Sequence, residues 1–378
     1  MAGKKRMANL ELLRCVAMLM VVVLHYLGKG RLLPELTGES LGVQGVVAWL
    51  LEAFCAVAVN VYMFISGYFL CTSSFKLSRV LKLWLQVWLY SVGFGLIGML
   101  TGVMAETSVD IHFFLTLLFP VWMEHYWFMT AYIFLYLLLP FVGIALRHMT
   151  KQQLRCTVII LLIVFSLIKS VLPLRLEMDT KGYDCIWYLC VFVAAAYVRR
   201  FGIPFLEKKG RGVLLYVVCS LLVFGGTMML RQVFQRTGSL ERMLGMCMEY
   251  NHILLFLAAL GVFYAFRGIN FHGKIADVIV KISPYTLGVY LLHENLGLRY
   301  TWQNWLGADK VNGIFSLLLH TILAAVIVFA AGIIVDALRA LAMKGLHGIL
   351  MKTRCYRGLM DGIRRVDEVF EGDKKENA

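Results

Sequence analysis

The chain has 378 residues, of which 60% are hydrophobic and only 16% are charged. This composition excludes a soluble globular domain, because so apolar a chain needs lipid to cover its surface. The formal net charge of +14 would suit a nucleic-acid-binding protein. However, the basic residues are distributed as in a membrane protein, so we expect a lipid bilayer and no nucleic acid as the partner.

Long apolar runs recur along almost the whole chain, each near the ~20 residues that a helix needs to cross a bilayer. Helices are expected because backbone groups in lipid must be satisfied within each segment, and the alternation of a β-barrel is absent. We therefore predict an all-α integral membrane fold with about ten transmembrane helices. The predicted spans are residues 9–28, 43–70, 80–103, 126–146, 156–173, 184–200, 212–230, 250–267, 283–300 and 313–342. A further apolar stretch, 111–122, is too short to span and is predicted to be interfacial or re-entrant.

The topology follows from the positions of the 37 lysines and arginines. Most of them fall in the segments that are cytoplasmic if the N-terminus is cytoplasmic, which is the positive-inside pattern. Both termini are therefore predicted to be cytoplasmic, in agreement with an even number of spans. Residues 1–343 are predicted to form one transmembrane domain, and 344–378 a charged cytoplasmic tail with a disordered end.

The nine cysteines occur singly, without paired spacing, so neither disulfides nor a metal site is expected.

The first span contains two ionisable residues, Arg14 and His25. They are eleven positions apart, about three helical turns, and so share one face at roughly 16 Å along the axis. One interpretation is structural: Arg14 pairs with Glu11 and extends to the interface, while His25 caps the helix. The other is functional, because ionisable residues in lipid are expensive.

A second polar group lies in the predicted span 283–300, where His293, Glu294 and Asn295 interrupt an apolar run. A break in the helix would be the structural explanation, and a functional cluster is the alternative.

Three basic residues follow the second span at intervals of three: Lys76, Arg79 and Lys82. Positive-inside topology alone could account for them. Alternatively, together with Arg14 they would bind an anionic ligand with several phosphates.

These residues resemble those of a known family, the bacterial membrane acyltransferase-3 (O-acyltransferase) proteins. Arg14, ten intervening residues and His25 match its R-x10-H signature. The segments FISGYFL, HYWFMTAYIFLYLLLP and SPYTLGVYLLHEN resemble three further motifs of the family, in the same order. The glycine-rich stretch before the second motif is missing, Asn60 replaces a common aspartate, and Lys82 replaces the second arginine of an R-x-x-R pair.

The resemblance implies transfer of an acyl group, usually acetyl, from cytoplasmic acetyl-CoA or another acyl-CoA to a hydroxyl of an envelope glycan. It implies that Arg14, Arg79 and Lys82 bind the phosphates of the donor. His25 would then be the general base or carry the acyl group. We predict that His293 and Glu294 assist His25 as catalytic residues.

Glu124 and His125, which precede the span 126–146, are further candidates for orienting the sugar or tuning His25.

The expected acceptor is a cell-envelope polysaccharide or a lipid-linked sugar, and the expected location is the bacterial cytoplasmic membrane, with several passes. The alternative function is a transporter or flippase for a lipid-linked sugar or small metabolite, because many helices with intramembrane charges also suit transport. The acyl group, the acceptor and any homo-oligomer are left open by the sequence.

Overall fold

The protein is almost entirely helical. In the computed structural model 78% of the chain is helix, and the described part contains no strand. The predicted all-α fold is therefore confirmed. The structure describes the backbone of residues 6–38, 40–102, 110–172, 174, 176 and 178–376, and the side chains as far as residue 371. The last residues of the predicted spans 80–103 and 156–173 lie outside these ranges.

Eight α-helices lie in the first half of the chain. They are α1 (Ala8–Lys29), α2 (Gly42–Cys55), α3 (Ala58–Leu70), α4 (Leu77–Leu100), α5 (Ile111–Leu118), α6 (Trp127–His148), α7 (Lys151–Leu162) and α8 (Ile168–Val171). A π-helical segment, Ile163–Leu167, connects α7 to α8 without a break.

The second half adds nine α-helices, among them the two longest of the described chain. They are α9 (Cys185–Phe201), α10 (Pro204–Glu207), α11 (Arg211–Thr237), α12 (Ile253–Arg267), α13 (Gly273–Ile282), α14 (Thr286–His293), α15 (Trp302–Trp305), α16 (Ile314–Leu350) and α17 (Arg354–Glu376).

Within the described ranges, nine helical segments are long and apolar enough to cross a membrane. They are Ala8–Lys29, Gly42–Leu70, Leu77–Leu100, Trp127–His148, Lys151–Val171, Arg211–Thr237, Glu241–Arg267, Gly273–His293 and Ile314–Leu350. The remaining predicted span, 184–200, is also helical, but α9 has only 17 residues. Most of its side chains are buried, because α9 packs against α3 inside the bundle.

Close packing of α3 on α9 depends on a glycine. A Cβ atom at Gly67 would come within 2.9 Å of Cβ of Ala195 and 3.0 Å of Cα of Phe192. Small residues allow membrane helices to approach in this way, because lipid gives them no hydrophobic reason to associate. The glycine of the FISGYFL segment is therefore explained by packing.

Helix α1 lies at the centre of the molecule. It contacts α2, α3, α12, α13, α14 and α16, so its residues face several helices at once. Two buried clusters adjoin it: one is built around Phe64, Trp187 and Phe263, and the other around Tyr26 and Val289. Polar residues of α1 therefore have protein partners instead of lipid.

Two sequence predictions, for the span 283–300 and for the tail, differ from the structure, whereas the stretch 111–122 is too short to span, as expected. The helical segment at the predicted span 283–300 is Gly273–His293. It therefore begins earlier than predicted and ends at His293, where a turn follows. The short stretch 111–122 contains the eight-residue helix α5 followed by a turn. The expectation of a disordered tail end is wrong as far as Glu376, because 354–376 forms α17.

Helix α17 is attached to the beginning of α4. Asp367 accepts hydrogen bonds from the backbone N–H and the hydroxyl of Ser78, and Glu371 pairs with Lys76. The rings of Phe75 and Phe370 pack 4.9 Å apart. These contacts give the charged tail a fixed position, which its composition alone does not indicate.

Candidate functional site

Four ionisable side chains meet where α1 and α14 end. Nδ1 of His25 lies 2.9 Å from Nε2 of His293 and 3.2 Å from Oε1 of Glu294. The ammonium group of Lys29 contacts the same oxygen of Glu294. His293 and Glu294 are buried, and about a fifth of the His25 side chain (19%) is exposed. The three residues predicted to be catalytic are therefore in direct contact.

Local helix geometry explains how the four side chains meet. His25 and Lys29 are four residues apart on α1, so they share one face. On the other side, α14 ends at His293, and Glu294 follows as its C-cap residue. The turn beyond it is held by buried polar groups: the Asn295 side chain donates to Tyr90 O (3.1 Å) and to the Tyr126 hydroxyl (3.0 Å).

The hydrogen bonds also fix the protonation of the two imidazoles. Nδ1 of His293 lies 2.6 Å from the carbonyl oxygen of Val289, which can only accept, so this nitrogen carries the proton. In a neutral His293 the other nitrogen, Nε2, is then an acceptor for the N–H of His25 at Nδ1. Nε2 of His25 consequently has a free lone pair, and no described residue lies within hydrogen-bonding distance of it.

His125 connects the site to the loop before α6. Its Nε2 accepts the backbone N–H of Leu296 (3.1 Å), and its Nδ1 lies 2.8 Å from the Ser91 hydroxyl. Burial, together with the nearby Arg299, lowers the pKa of His125 to about 3, so this imidazole is neutral at physiological pH. By contrast, Glu124 is exposed and pairs with no described residue.

The cluster also has the composition of a metal site. One ligand atom each from His25, His293 and Glu294 lies within 4.8 Å of the others. However, the Lys29 ammonium already contacts the Glu294 oxygen, and the His25 Nδ1–H needs an acceptor rather than a cation. This donor set fits a hydrogen-bonded relay, and the prediction of no metal is retained.

An apolar cavity of about 40 Å³ adjoins His25. The cavity is too narrow for more than a few water molecules without side-chain movement. Its walls are formed mainly by α1, α3, α6 and α14, and by the end of the loop before α12. The lining residues include Met18, Tyr62, Trp127, Phe128, Tyr250 and Tyr290.

A second cavity, of about 260 Å³, lies at the end of the bundle where α4 begins and contains Arg79 and Lys82. Tyr132 also lines it and lies near Arg14. Arg14 itself pairs with Glu11 at 3.1 Å, as the structural interpretation of this residue expects. The structure therefore brings Arg79 and Lys82 to one cavity, with Arg14 nearby but not in its wall.

Aromatic rings separate the two cavities. Phe128 lines the first and Tyr132 the second, and their rings stack with centroids 6.2 Å apart. The hydroxyl of Tyr62, another lining residue of the first cavity, donates to the carbonyl oxygen of Arg14 at 2.9 Å.

The opposite end of the bundle has a polar cleft of about 890 Å³ that is lined by Lys29, Arg31, Asn304 and Asp309 among others. His25 does not line this cleft. The ion pair of Lys29 with Glu294 lies between the cleft and the imidazole of His25.

Sequence reasoning missed Lys29, Arg299 and Tyr126. Lys29 could have been found from its position four residues after His25. Arg299 donates to the carbonyl oxygens of Glu294 and His125, and the Tyr126 hydroxyl donates to Leu291 O. No local pattern indicates these two, because their partners His125 and Leu291 lie far from them in the sequence. Asn60, a departure from the resembled motif, has structural contacts with Tyr250 O and Trp187.

The fold and site define a class: an integral membrane protein of many helices with a histidine pair and a carboxylate beside an internal cavity. Comparison with protein families matches residues 7–337 to the acyltransferase domain of the acyltransferase-3 family. The chain belongs to this family, and the predicted resemblance is confirmed. Comparison with curated proteins and with solved structures finds no match.

Proposed function

We propose that the protein is a membrane O-acetyltransferase of the bacterial cytoplasmic membrane. It would move the acyl group of cytoplasmic acetyl-CoA to a hydroxyl of a cell-envelope polysaccharide or a lipid-linked sugar. One observation carries the proposal: Nδ1 of His25 is engaged by His293 and Glu294, which leaves the lone pair of Nε2 for a substrate in the adjoining cavity. Membership of the family supports acyl transfer in general.

The proposed donor site is the cavity of Arg79 and Lys82. Coenzyme A carries several phosphates, and guanidinium and ammonium groups bind phosphate through charge-assisted hydrogen bonds. Arg14 would join them through the shared neighbour Tyr132. The pantetheine arm would then pass the rings of Tyr62, Phe128 and Tyr132 to bring the thioester close to His25. With both termini cytoplasmic, this cavity opens on the side of the donor.

The proposed chemistry needs only the residues of the site. Nε2 of His25 takes the proton of the sugar hydroxyl as its oxygen attacks the thioester carbonyl carbon. The bond from this carbon to sulfur then breaks, and the thiolate receives the proton from Nε2, which gives an ester and a free thiol. Glu294 and the acceptor nitrogen of His293 stabilise the imidazolium that forms in between.

A covalent route uses the same contacts. In it, Nε2 of His25 attacks the thioester carbon and the thiolate leaves. The sugar oxygen then takes the acyl group from Nε2 and loses its proton to the thiolate. The two routes differ in one observable: only the covalent route gives acyl-labelled protein when the acceptor is withheld. Rapid quench with radiolabelled acetyl-CoA, followed by chromatography of peptides containing His25, distinguishes them.

The test uses the full chain in lipid nanodiscs, radiolabelled acetyl-CoA and a glycan fraction extracted from the bacterial envelope. The wild-type protein should label the glycan, and His25→Ala should not. His148→Ala, which changes an exposed histidine at the end of α6, should label it normally. Full turnover by correctly folded His25→Ala would contradict the proposal.

A transporter or flippase is the alternative, and coenzyme A distinguishes it. Free coenzyme A should raise the thermal unfolding temperature of an acyl-CoA-dependent transferase by mass action, whereas a sugar transporter has no reason to respond. A response to the sugar alone, without response to coenzyme A, would favour transport.

A further inference from the structure

Three aromatic rings from separate segments meet beside the cavity of His25. Trp127 begins α6, Tyr183 lies in the loop before α9, and Tyr250 lies in the loop before α12. The ring centroid of Tyr183 is 4.3 Å from that of Trp127 and 4.7 Å from that of Tyr250. We call this group the aromatic triplet. Tyr183 remains 43% exposed, while Trp127 and Tyr250 line the cavity together with His25.

An aromatic belt at the membrane surface does not explain the triplet. Belt residues turn their rings towards the lipid headgroups, and each of them acts separately. Here two rings face the protein interior and a cavity that contains a candidate catalytic residue. The triplet therefore joins an exposed ring to the wall of the proposed active site.

A buried ion network holds the two loops of the triplet in place. The ammonium group of Lys169 lies 2.6 Å from Oδ2 of Asp179 and 2.7 Å from Oε2 of Glu249, and all three side chains are less than a tenth exposed. Asn251 donates to the other oxygen of Asp179 at 2.8 Å. Asp179 thus connects α8 to the loop of Tyr183, and Glu249 connects α8 to the loop of Tyr250.

Burial of three charges is expensive, because the desolvation of the ions can exceed the energy gained from pairing them. Such networks are better explained where they fix one particular arrangement. This network takes no part in the chemistry at His25, and its evident effect is to position Tyr183 and Tyr250.

Gly182 makes the contact between the loops possible. Its φ is +84°, and a Cβ atom there would lie 2.8 Å from the backbone nitrogen of Asn251 and 2.9 Å from Cβ of Tyr250. Only glycine accepts both this backbone conformation and this approach without strain. Tyr183 is therefore held against Tyr250 by the course of the backbone as well as by the ion network.

The region also contains polar atoms without partners. Oε2 of Glu52 and the hydroxyl of Tyr188 are buried and have no hydrogen-bond partner among the described residues. Glu52 lies near Tyr183 and Tyr250, and the ring of Tyr188 lies 6.4 Å from that of Trp127. An unpartnered buried polar atom is unfavourable, so these two atoms favour a ligand that brings hydroxyl groups.

We propose that the aromatic triplet is the acceptor subsite, where a pyranose ring of the sugar stacks while one of its hydroxyls reaches Nε2 of His25. A sugar ring has a face of C–H groups that suits aromatic rings, and hydroxyls that suit Glu52 and Tyr188. An acyl chain would satisfy the rings but leave both polar atoms unpaired. This inference rests on the proposed function for the identity of the reaction, but sugar binding can be tested without turnover.

The experiment uses saturation-transfer NMR on the full chain in nanodiscs, with a panel of methyl hexopyranosides as probes. Wild-type protein should transfer saturation most strongly to the C–H protons of one ring face. Because an aromatic contact contributes about 0.5–1.5 kcal/mol, Tyr183→Leu and Trp127→Leu should each weaken binding by about two- to tenfold. Tyr183→Phe keeps the ring and should keep most of the signal. Trp122→Leu, which changes a 70% exposed ring in the preceding loop, is the matched control and should change nothing.

Two further variants separate this proposal from the proposed function. His25→Ala should still bind the probe sugars, weakened only by the loss of the one hydrogen bond to Nε2, although it no longer transfers acetyl groups. Asn304→Ala alters the polar cleft beyond Lys29 and should leave sugar binding intact. The proposal is overturned if no probe sugar binds wild-type protein, or if binding survives both leucine substitutions in the triplet, or if it is lost in Asn304→Ala. Absence of acetyl transfer by the wild-type protein, with intact sugar binding, would instead contradict only the proposed function.

Discussion

Nδ1 of His293 lies 2.6 Å from the carbonyl oxygen of Val289, one turn earlier on α14. This contact determines which nitrogen of His293 is protonated and, through the hydrogen bond to the neighbouring His25, which nitrogen of His25 keeps a lone pair. The backbone carbonyl of Val289 on α14 thus determines which nitrogen of His25, on α1, can act as the base. The same relationship occurs in other histidine sites, where the hydrogen-bond partner of one ring nitrogen determines whether the other nitrogen is protonated.

We predict that His293 acts as a positioning residue. His293→Ala removes the acceptor of the His25 Nδ1–H, while Glu294 remains, so kcat should fall by about 10- to 100-fold, as for other lost orienting partners. KM for acetyl-CoA should stay unchanged, and the acidic limb of the pH–rate profile should move. An unchanged profile with reduced protein stability would indicate that His293 contributes packing alone.

We predict that protein stability depends on the ion pair of Glu294 with Lys29, whereas acetyl transfer depends on the Glu294 carboxylate. Glu294→Gln leaves the Lys29 ammonium without its counter-charge, so the protein should lose about 3–5 kcal/mol of stability, as when one partner of a buried pair is removed. The double variant with Lys29→Met should recover most of the thermal unfolding temperature. It should not recover acetyl transfer, because the carboxylate beside His25 is still missing. Full recovery of activity would show that Glu294 only neutralises Lys29.

We predict that Arg79 and Lys82 recognise the phosphates of the donor. Arg79→Ala and Lys82→Ala should each raise KM for acetyl-CoA by about tenfold, the equivalent of about 1.4 kcal/mol, which is close to the lower end of the contribution of a hydrogen bond to a charged group. KM for S-acetyl-N-acetylcysteamine, a thioester without phosphates, should not change. Arg155→Ala, an exposed basic residue in α7, is the control. An equal loss with both thioesters would contradict phosphate recognition.

His125 should make stability depend on pH. Its pKa is lowered to about 3 in the folded protein, against an ordinary 6.5, so between these values the unfolded chain binds the extra proton. The free energy of unfolding is therefore highest above pH 6.5, where His125 is neutral in both states. It decreases as the pH falls, by about 2 kcal/mol at pH 5. His125→Gln offers an oxygen to the Leu296 N–H without a titrating group. Its unfolding temperature should fall less than that of the wild type between pH 7.5 and 5, and parallel curves would contradict the role of His125.

We predict that two acidic residues attach α17 to the bundle. Asp367→Ala together with Glu371→Ala removes the contacts with Ser78 and Lys76, and helix ends that lose such partners separate more easily. Trypsin should then cut faster at Lys352, Arg354 and Arg357, which lie between α16 and α17 and in the first turn of α17. Asp361→Ala, which changes an acidic residue paired within α17 itself, should leave the rate of cleavage unchanged.

Much of the fold follows from the sequence for a simple reason. A hydrophobic run of bilayer length has one stable conformation in lipid, so its existence and type can be predicted locally. The places where prediction was wrong depend on contacts between distant segments. The helix break after His293 is stabilised by Tyr90, Tyr126 and Arg299, and the ordered tail by the beginning of α4.

In the candidate site, the unusual side chains can be recognised from the sequence alone. Arg14, His25, His293 and Glu294 are ionisable, and placing an ionisable side chain in lipid costs free energy. The tertiary structure decided which of them meet. It brought the first and ninth predicted spans together, so that His25, Lys29, His293 and Glu294 share hydrogen bonds, whereas Arg14 pairs with its neighbour Glu11. It also joined the loops of Tyr183 and Tyr250 around buried Lys169. The free-energy cost of a charge in lipid depends on one residue, so the sequence shows it. The partner that offsets this cost depends on how the whole bundle packs, so only the tertiary structure shows it.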